Sequence, residues 1–218
     1  MTVKDFAFVC YTVRMNKPDR TTRRSIVGAA CLLLALEGVA TEPRPPKAPV
    51  SATVTKVNDG DSIEVRLGTG DGRVRLSAID TPEHDQPYGA ESSGALKSLL
   101  PVGSAVELEI VTQDPFGRIV AVVWLVDAGV RVNVNERMLR EGHAWAYRRY
   151  MRDARFCDIE AEAREAKRGL WAQPVGDWVY PPEWRFLKNG EIRALPTPYT
   201  ETRETCAAVL GRAGAATY

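Results

Sequence analysis

Thr53-Val54-Thr55-Lys56-Val57-Asn58-Asp59-Gly60-Asp61-Ser62-Ile63-Glu64-Val65-Arg66-Leu67 alternates apolar with polar residues on both sides of a polar turn. Period-two alternation is the pattern of a strand with one face buried, and Asn58-Asp59-Gly60-Asp61 has the composition of the turn joining two such strands. A second turn at Gly68-Thr69-Gly70-Asp71-Gly72 leads into a third strand, Arg73-Val74-Arg75-Leu76-Ser77-Ala78-Ile79, so the chain begins a meander.

Working outward, Ala90 to Leu100 reads as a helix with Ala95, Leu96, Leu99 and Leu100 on one stripe, stopped by Pro101. Val106 to Val111 and Ile119 to Val126 are two more strands, separated by Asp114-Pro115-Phe116-Gly117-Arg118. Asn133 and Glu136 resemble a capping box opening a short helix that ends at Gly142. Asp153 to Arg168 is a longer helix with Phe156, Ile159, Ala163, Ala166 and Leu170 on its buried side. Five strands interrupted and followed by three helices predict an α+β fold around a five-stranded OB barrel. Residues 51–172 carry this pattern, and residues 173–218 read as an extension wrapped on the domain, with a short helix near Thr205 to Leu210. Pro181-Pro182-Glu183-Trp184-Arg185 is expected to pack against the last helix, a partner contact being the alternative.

The N-terminal residues 1–40 differ in kind. Arg23 and Arg24 precede eleven uncharged residues, Ile26 to Leu36, followed by Gly38-Val39-Ala40. This run is shorter than the roughly 18–20 apolar residues of a comfortable membrane span and ends in small residues, as an export signal does. A cleaved signal is the expectation, an uncleaved tether the alternative, and Met15 offers a more ordinary start. Residues 41–50 are a proline-rich linker. Without the leader the charge balance shifts from 29 basic against 28 acidic residues to 23 against 25. A duplex-coating protein shows a broad basic excess instead, so any nucleic-acid partner has to be recognised by a local constellation. Beyond the leader only Cys157 and Cys206 remain as cysteines, and an exported compartment allows them to pair as a disulfide. No segment calls for a stable protein partner, and a monomer is expected.

Asp59-Gly60-Asp61 and Asp80-Thr81-Pro82-Glu83 each close a predicted strand, and the second strand runs directly into the third. Carboxylates from both turns can therefore converge. A hard cation such as calcium takes several oxygen ligands, and Asp61, Asp80 and the Thr81 carbonyl form a suitable set. Glu83 is placed to hold or deprotonate a water, and the Arg118 turn can present a guanidinium, which grips phosphate bidentately. Arg75 stands five residues before Asp80, an odd spacing that puts the two on opposite faces of an unbroken strand.

Val57-Asn58-Asp59-Gly60-Asp61-Ser62, Arg75 to Glu83, Asp114 to Arg118, Val134-Asn135-Glu136 with Gly142, and Lys167-Arg168-Gly169-Leu170-Trp171 together resemble the staphylococcal nuclease (thermonuclease) family in order and spacing. The resemblance implies Ca²⁺ on Asp61, Asp80 and Thr81, with Arg75, Glu83 and Arg118 catalytic. It also implies hydrolysis of DNA and RNA by water attack on phosphorus, leaving 3′-phosphates. Ser62 and Phe116 stand where threonine and tyrosine are usual, which removes no reacting group. Tyr147 and Tyr150 resemble the family's aromatic contacts to base and phosphate, against the reading of Tyr147-Arg148-Arg149-Tyr150-Met151-Arg152 as a solvated basic face. The rival to an enzyme is a noncatalytic OB module that binds nucleic acid or protein. Single-stranded or frayed substrate is expected to be preferred, because a compact site reaches an unstacked base more readily.

Overall fold

A computed structural model describes residues 48–194 and 202–213 of the chain. The leader and most of the proline-rich linker lie outside the described residues. Strands β1 (Val50–Val57), β2 (Ser62–Leu67) and β3 (Gly70–Leu76) form the expected meander, and β5 (Ala105–Gln113) and β6 (Ile119–Asp127) follow after a helix. The sheet order β3-β2-β1-β5-β6 closes on itself through a parallel pairing of β3 with β6, in which Arg75 lies opposite Val120. The result is a five-stranded barrel, extended at one edge by β7 (Val130–Asn133). Its interior is filled by alternate residues, among them Val54, Ile63, Val65, Val74, Leu108, Ala121 and Val123. Each apolar side chain fully removed from water contributes roughly 1.5–3 kcal/mol.

The third predicted strand is not continuous. It stops at Leu76, turns through Ser77 and Ala78, and resumes as β4 (Ile79–Asp80), which leaves the barrel to pair with β8 (Trp145–Ala146). Ala78 takes a left-handed φ of 62°, a conformation that costs a non-glycine residue roughly 1–2 kcal/mol. Backbone bonds on both sides hold the turn, from Ser77 N to the Ala121 carbonyl at 2.8 Å and from Tyr147 N to the Ala78 carbonyl at 2.8 Å. Asn135 is fully buried behind it and donates to the Ser77 and Ala121 carbonyls while accepting from Val123 N. Its helix, α2 (Val134–Arg140), opens with the expected cap, Asn133 accepting from Glu136 N at 3.1 Å.

Helices α1 (Gly89–Leu99) and α3 (Arg155–Glu165) complete the predicted set. The last helix ends three residues short of Arg168, which leaves Ala166 exposed. Leu96, Met138, Leu139, Phe156 and Ile159 from the three helices join the barrel core. Trp145, Leu170 and Trp171 form a second cluster, on which Trp178 and Tyr180 of the extension settle, with ring centroids 5.2 Å apart for Trp171–Trp178 and 5.6 Å for Trp145–Tyr180. Beyond them Pro181 and Pro182 start α4 (Pro181–Lys188), a helix not assigned from the sequence; proline is tolerated in a first helical turn, where its missing N–H has no partner to lose. Helix α5 (Arg203–Ala213) covers the expected short helix and lies against α3, where Arg203 pairs with Asp158 and the Cys206 sulfur reaches that of Cys157. Among the described residues no helix is long and apolar enough to cross a membrane.

Candidate active site

Strand pairing assembles the site at one rim of the barrel. Ser62 lies opposite Arg75, and the Asp61 carbonyl accepts from Leu76 N at 2.8 Å, so the start of β2 is fixed beside the end of β3. The turn at Ser77–Ala78 then redirects the chain and brings Asp80 back toward Arg75. The guanidinium bridges both aspartates, pairing with Asp61 Oδ2 through Nη1 and with Asp80 Oδ1 through Nη2 at 2.6 Å. Strand parity had placed Arg75 and Asp80 on opposite faces. The left-handed break at Ala78 removes the premise of that expectation.

Asp61 and Asp80 are 5% and 1% exposed. The same Oδ2 of Asp61 also accepts from the backbone N–H and the hydroxyl of Thr81, both at 2.9 Å. Gly60 permits this approach, because a Cβ there would collide with the hydroxyls of Thr81 and Ser92. Burial raises the Asp80 carboxyl above its usual range despite the opposing Arg75 charge. Burial, with the Asp61 charge adding, pushes Asp59 up to about 6. Burial also works against the charge on Arg75, yet Asp61 and Asp80 outweigh it and hold the guanidinium protonated.

Glu83 lies beyond β4 in the irregular stretch leading to α1, with its side chain 40% exposed. A residue that sequence reading did not assign to the site meets it there. Arg185 of α4 reaches Glu83 Oε1 at 2.6 Å through Nη1 and Asp80 Oδ2 at 2.7 Å through Nη2. Burial opposes the Arg185 charge, but the Asp80 and Glu83 carboxylates raise its pKa well above the usual value. The available sequence signal was the Pro-Pro start of a helix, which would have placed Trp184, Arg185 and Lys188 along one edge.

Arg118 stands apart from the carboxylates: it pairs with Asp114 at 2.7 Å, and the same aspartate accepts from the backbone N–H groups of Phe116 and Arg118. It immediately precedes β6, in which Val120 is the partner of Arg75 across the parallel pairing. Tyr147 is half-buried beside Arg75, whose guanidinium carbon lies 5.9 Å from its ring centroid. Tyr150 touches Tyr147 edge-on at 4.8 Å and is more exposed. Between them Arg148 is not part of a solvated face, being 6% exposed and bound through both terminal nitrogens to Glu160.

Among the described residues no group of three or more His, Cys, Asp or Glu is arranged as a metal cluster. The candidate donors are the Asp61 and Asp80 carboxylates and the Thr81 carbonyl, all hard oxygens suited to calcium. Among the described residues, Asp61, Asp80 and Glu83 form ion pairs with Arg75 and Arg185, so three carboxylates share two counter-charges, an excess of negative charge that a divalent cation fits.

The sequence pattern of the family described as Staphylococcal nuclease homologue matches residues 73–173. An Escherichia coli protein named "Uncharacterized endonuclease" is 40% identical over 143 residues, covering 65% of this chain and 88% of the relative. The chain belongs to the staphylococcal nuclease family. The "Micrococcal nuclease" of Shigella flexneri is 32% identical over 169 residues, covering 74% and 91%, and "Protein ParB" of Escherichia coli is 34% identical over 152 residues, covering 66% and 84%. The family pattern ends at residue 173, ahead of Arg185.

Proposed function

We propose that this chain is a calcium-dependent endonuclease that hydrolyses DNA and RNA, leaving 3′-phosphates. Phosphodiester hydrolysis accords with its family, and the observation that carries the reading is Arg75 bridging Asp61 and Asp80, with Glu83 tied to the same Asp80 through Arg185. In this reading Asp61, Asp80 and the Thr81 carbonyl hold the cation, which when bound supplies charge stabilisation at the phosphoryl oxygens. Arg75 at the end of β3 and Arg118 just before β6 bind the phosphate as it gains charge. Glu83 holds the attacking water and takes its proton or orients it. Tyr147 and Tyr150 contact the adjacent nucleotide.

The purified chain is expected to cut single-stranded DNA faster than stable duplex, and to stop when calcium is chelated. Cleavage unchanged by chelator would remove the cation from the reading, and equal initial rates on both substrates would remove the strand preference. If no nucleic acid is cut at all, the noncatalytic binding module becomes the better account.

Export through residues 1–40, by cleaved signal or tether, belongs to the same proposal, as does a Cys157–Cys206 disulfide in the exported protein. Supporting the pairing, the Cα atoms are 5.9 Å apart, inside the disulfide range, and the bond would close a 49-residue separation between α3 and α5. Peptide mapping without reductant should recover one linked pair, and reduction should lower unfolding stability by about 2–4 kcal/mol. Recovery of both thiols free from exported protein would end that part.

A further inference from the structure

The stretch from Thr81 to Tyr88 carries Glu83 without regular secondary structure, so something outside it must hold it still. The C-terminal extension does so at several points. Gln86 accepts from Glu83 N at 3.1 Å and donates to the Val179 carbonyl at 2.6 Å. Asp85 accepts from the Trp184 indole at 3.0 Å and pairs with Lys188 at 2.6 Å. Arg185, between those two residues on α4, spans Glu83 and Asp80. Trp184 and Lys188 are four residues apart, hence on one helical face, and both converge on Asp85.

Resting on the phosphodiesterase reading of the site, we propose that the extension is a working part of the active centre, with Arg185 as the residue that positions Glu83 against Asp80. Two carboxylates brought this close repel, and the exposed Glu83 side chain can swing into solvent to relieve it. A planar guanidinium between them holds both at once, which the single point charge of a lysine does not reproduce. A displacement of about 1 Å in such a site lowers rate by about 100-fold. Arg185 acts here through Glu83 and Asp80, without itself touching the reacting atoms.

The test compares the full chain with R185A and R185K. Steady-state kinetics use a single-stranded oligonucleotide at saturating calcium, calcium affinity is measured by calorimetry, and backbone amide exchange is followed over residues 82–88. In R185A, kcat is expected to fall about 10–100-fold with KM changed less than about 3-fold. Calcium affinity should not weaken, because a positive charge beside the aspartates has been removed. Exchange over residues 82–88 should quicken, and R185K should recover only part of the kcat loss. An unchanged kcat in R185A overturns the proposal. So does a higher kcat together with tighter calcium binding, which would make Arg185 a group that blocks the site. If the parent chain cuts nothing, the reading of the site has failed, and unchanged exchange in R185A would then overturn the fastening on its own terms.

Discussion

Glu83→Gln is expected to lower kcat on single-stranded DNA by about 100- to 10,000-fold, the range that general acid–base catalysis contributes. The substitution keeps the size of the side chain and an oxygen able to accept from Arg185, but it removes the group's capacity to take a proton. Because the Glu83 side chain is 40% exposed and lies outside the barrel core, the fold should be unaffected. Steady-state kinetics beside circular dichroism make the check. A correctly folded variant within about threefold of the parent rate would assign water activation elsewhere and leave Glu83 as a partner of Arg185 only.

Glu160→Ala is expected to destabilise the chain by about 3–5 kcal/mol, as removing one member of a buried ion pair does. Glu160 is 2% exposed on α3 and holds three groups: the Ala146 backbone N–H at 2.7 Å, both terminal nitrogens of Arg148, and Arg164. Alanine leaves the 6% exposed Arg148 beside an uncompensated cavity and strips β8 of a hydrogen bond. Since β8 pairs with β4, where Ala146 lies opposite Ile79 and Trp145 opposite Asp80, loss of this anchor also loosens the support beneath Asp80. Urea unfolding measures the effect. For comparison, breaking the exposed Arg66–Asp71 pair should leave the urea midpoint nearly unchanged. A Glu160→Ala variant within about 1 kcal/mol of the parent would show that the buried pair is replaceable by packing.

The barrel was legible wherever the determining signal was local. Alternation marked β1 and β2, apolar stretches between turns marked β5 and β6, and the acidic turn between β1 and β2 marked where Asp61 sits, because a strand's inward and outward residues are decided by its own period. The capping pair Asn133 and Glu136 was readable for the same reason, since its contacts span three residues. Arg148 was not: whether an arginine between two tyrosines faces water or a buried glutamate depends on how α3 packs, which neither tyrosine announces.

The sequence by itself determined that Asp61 opens one strand, and that Asp80 and Glu83 follow the next. Tertiary structure alone decided how those groups meet. The left-handed turn at Ala78, held by the Ala121 carbonyl, Tyr147 N and Asn135, reverses the parity that would have kept Arg75 from Asp80. Arg185 reaches the same aspartate from 105 residues away, by way of the aromatic docking of Trp178 and Tyr180. Local periodicity reports which way a side chain leaves its own strand, whereas contacts made across a barrel rim depend on packing among segments that carry no mark of one another.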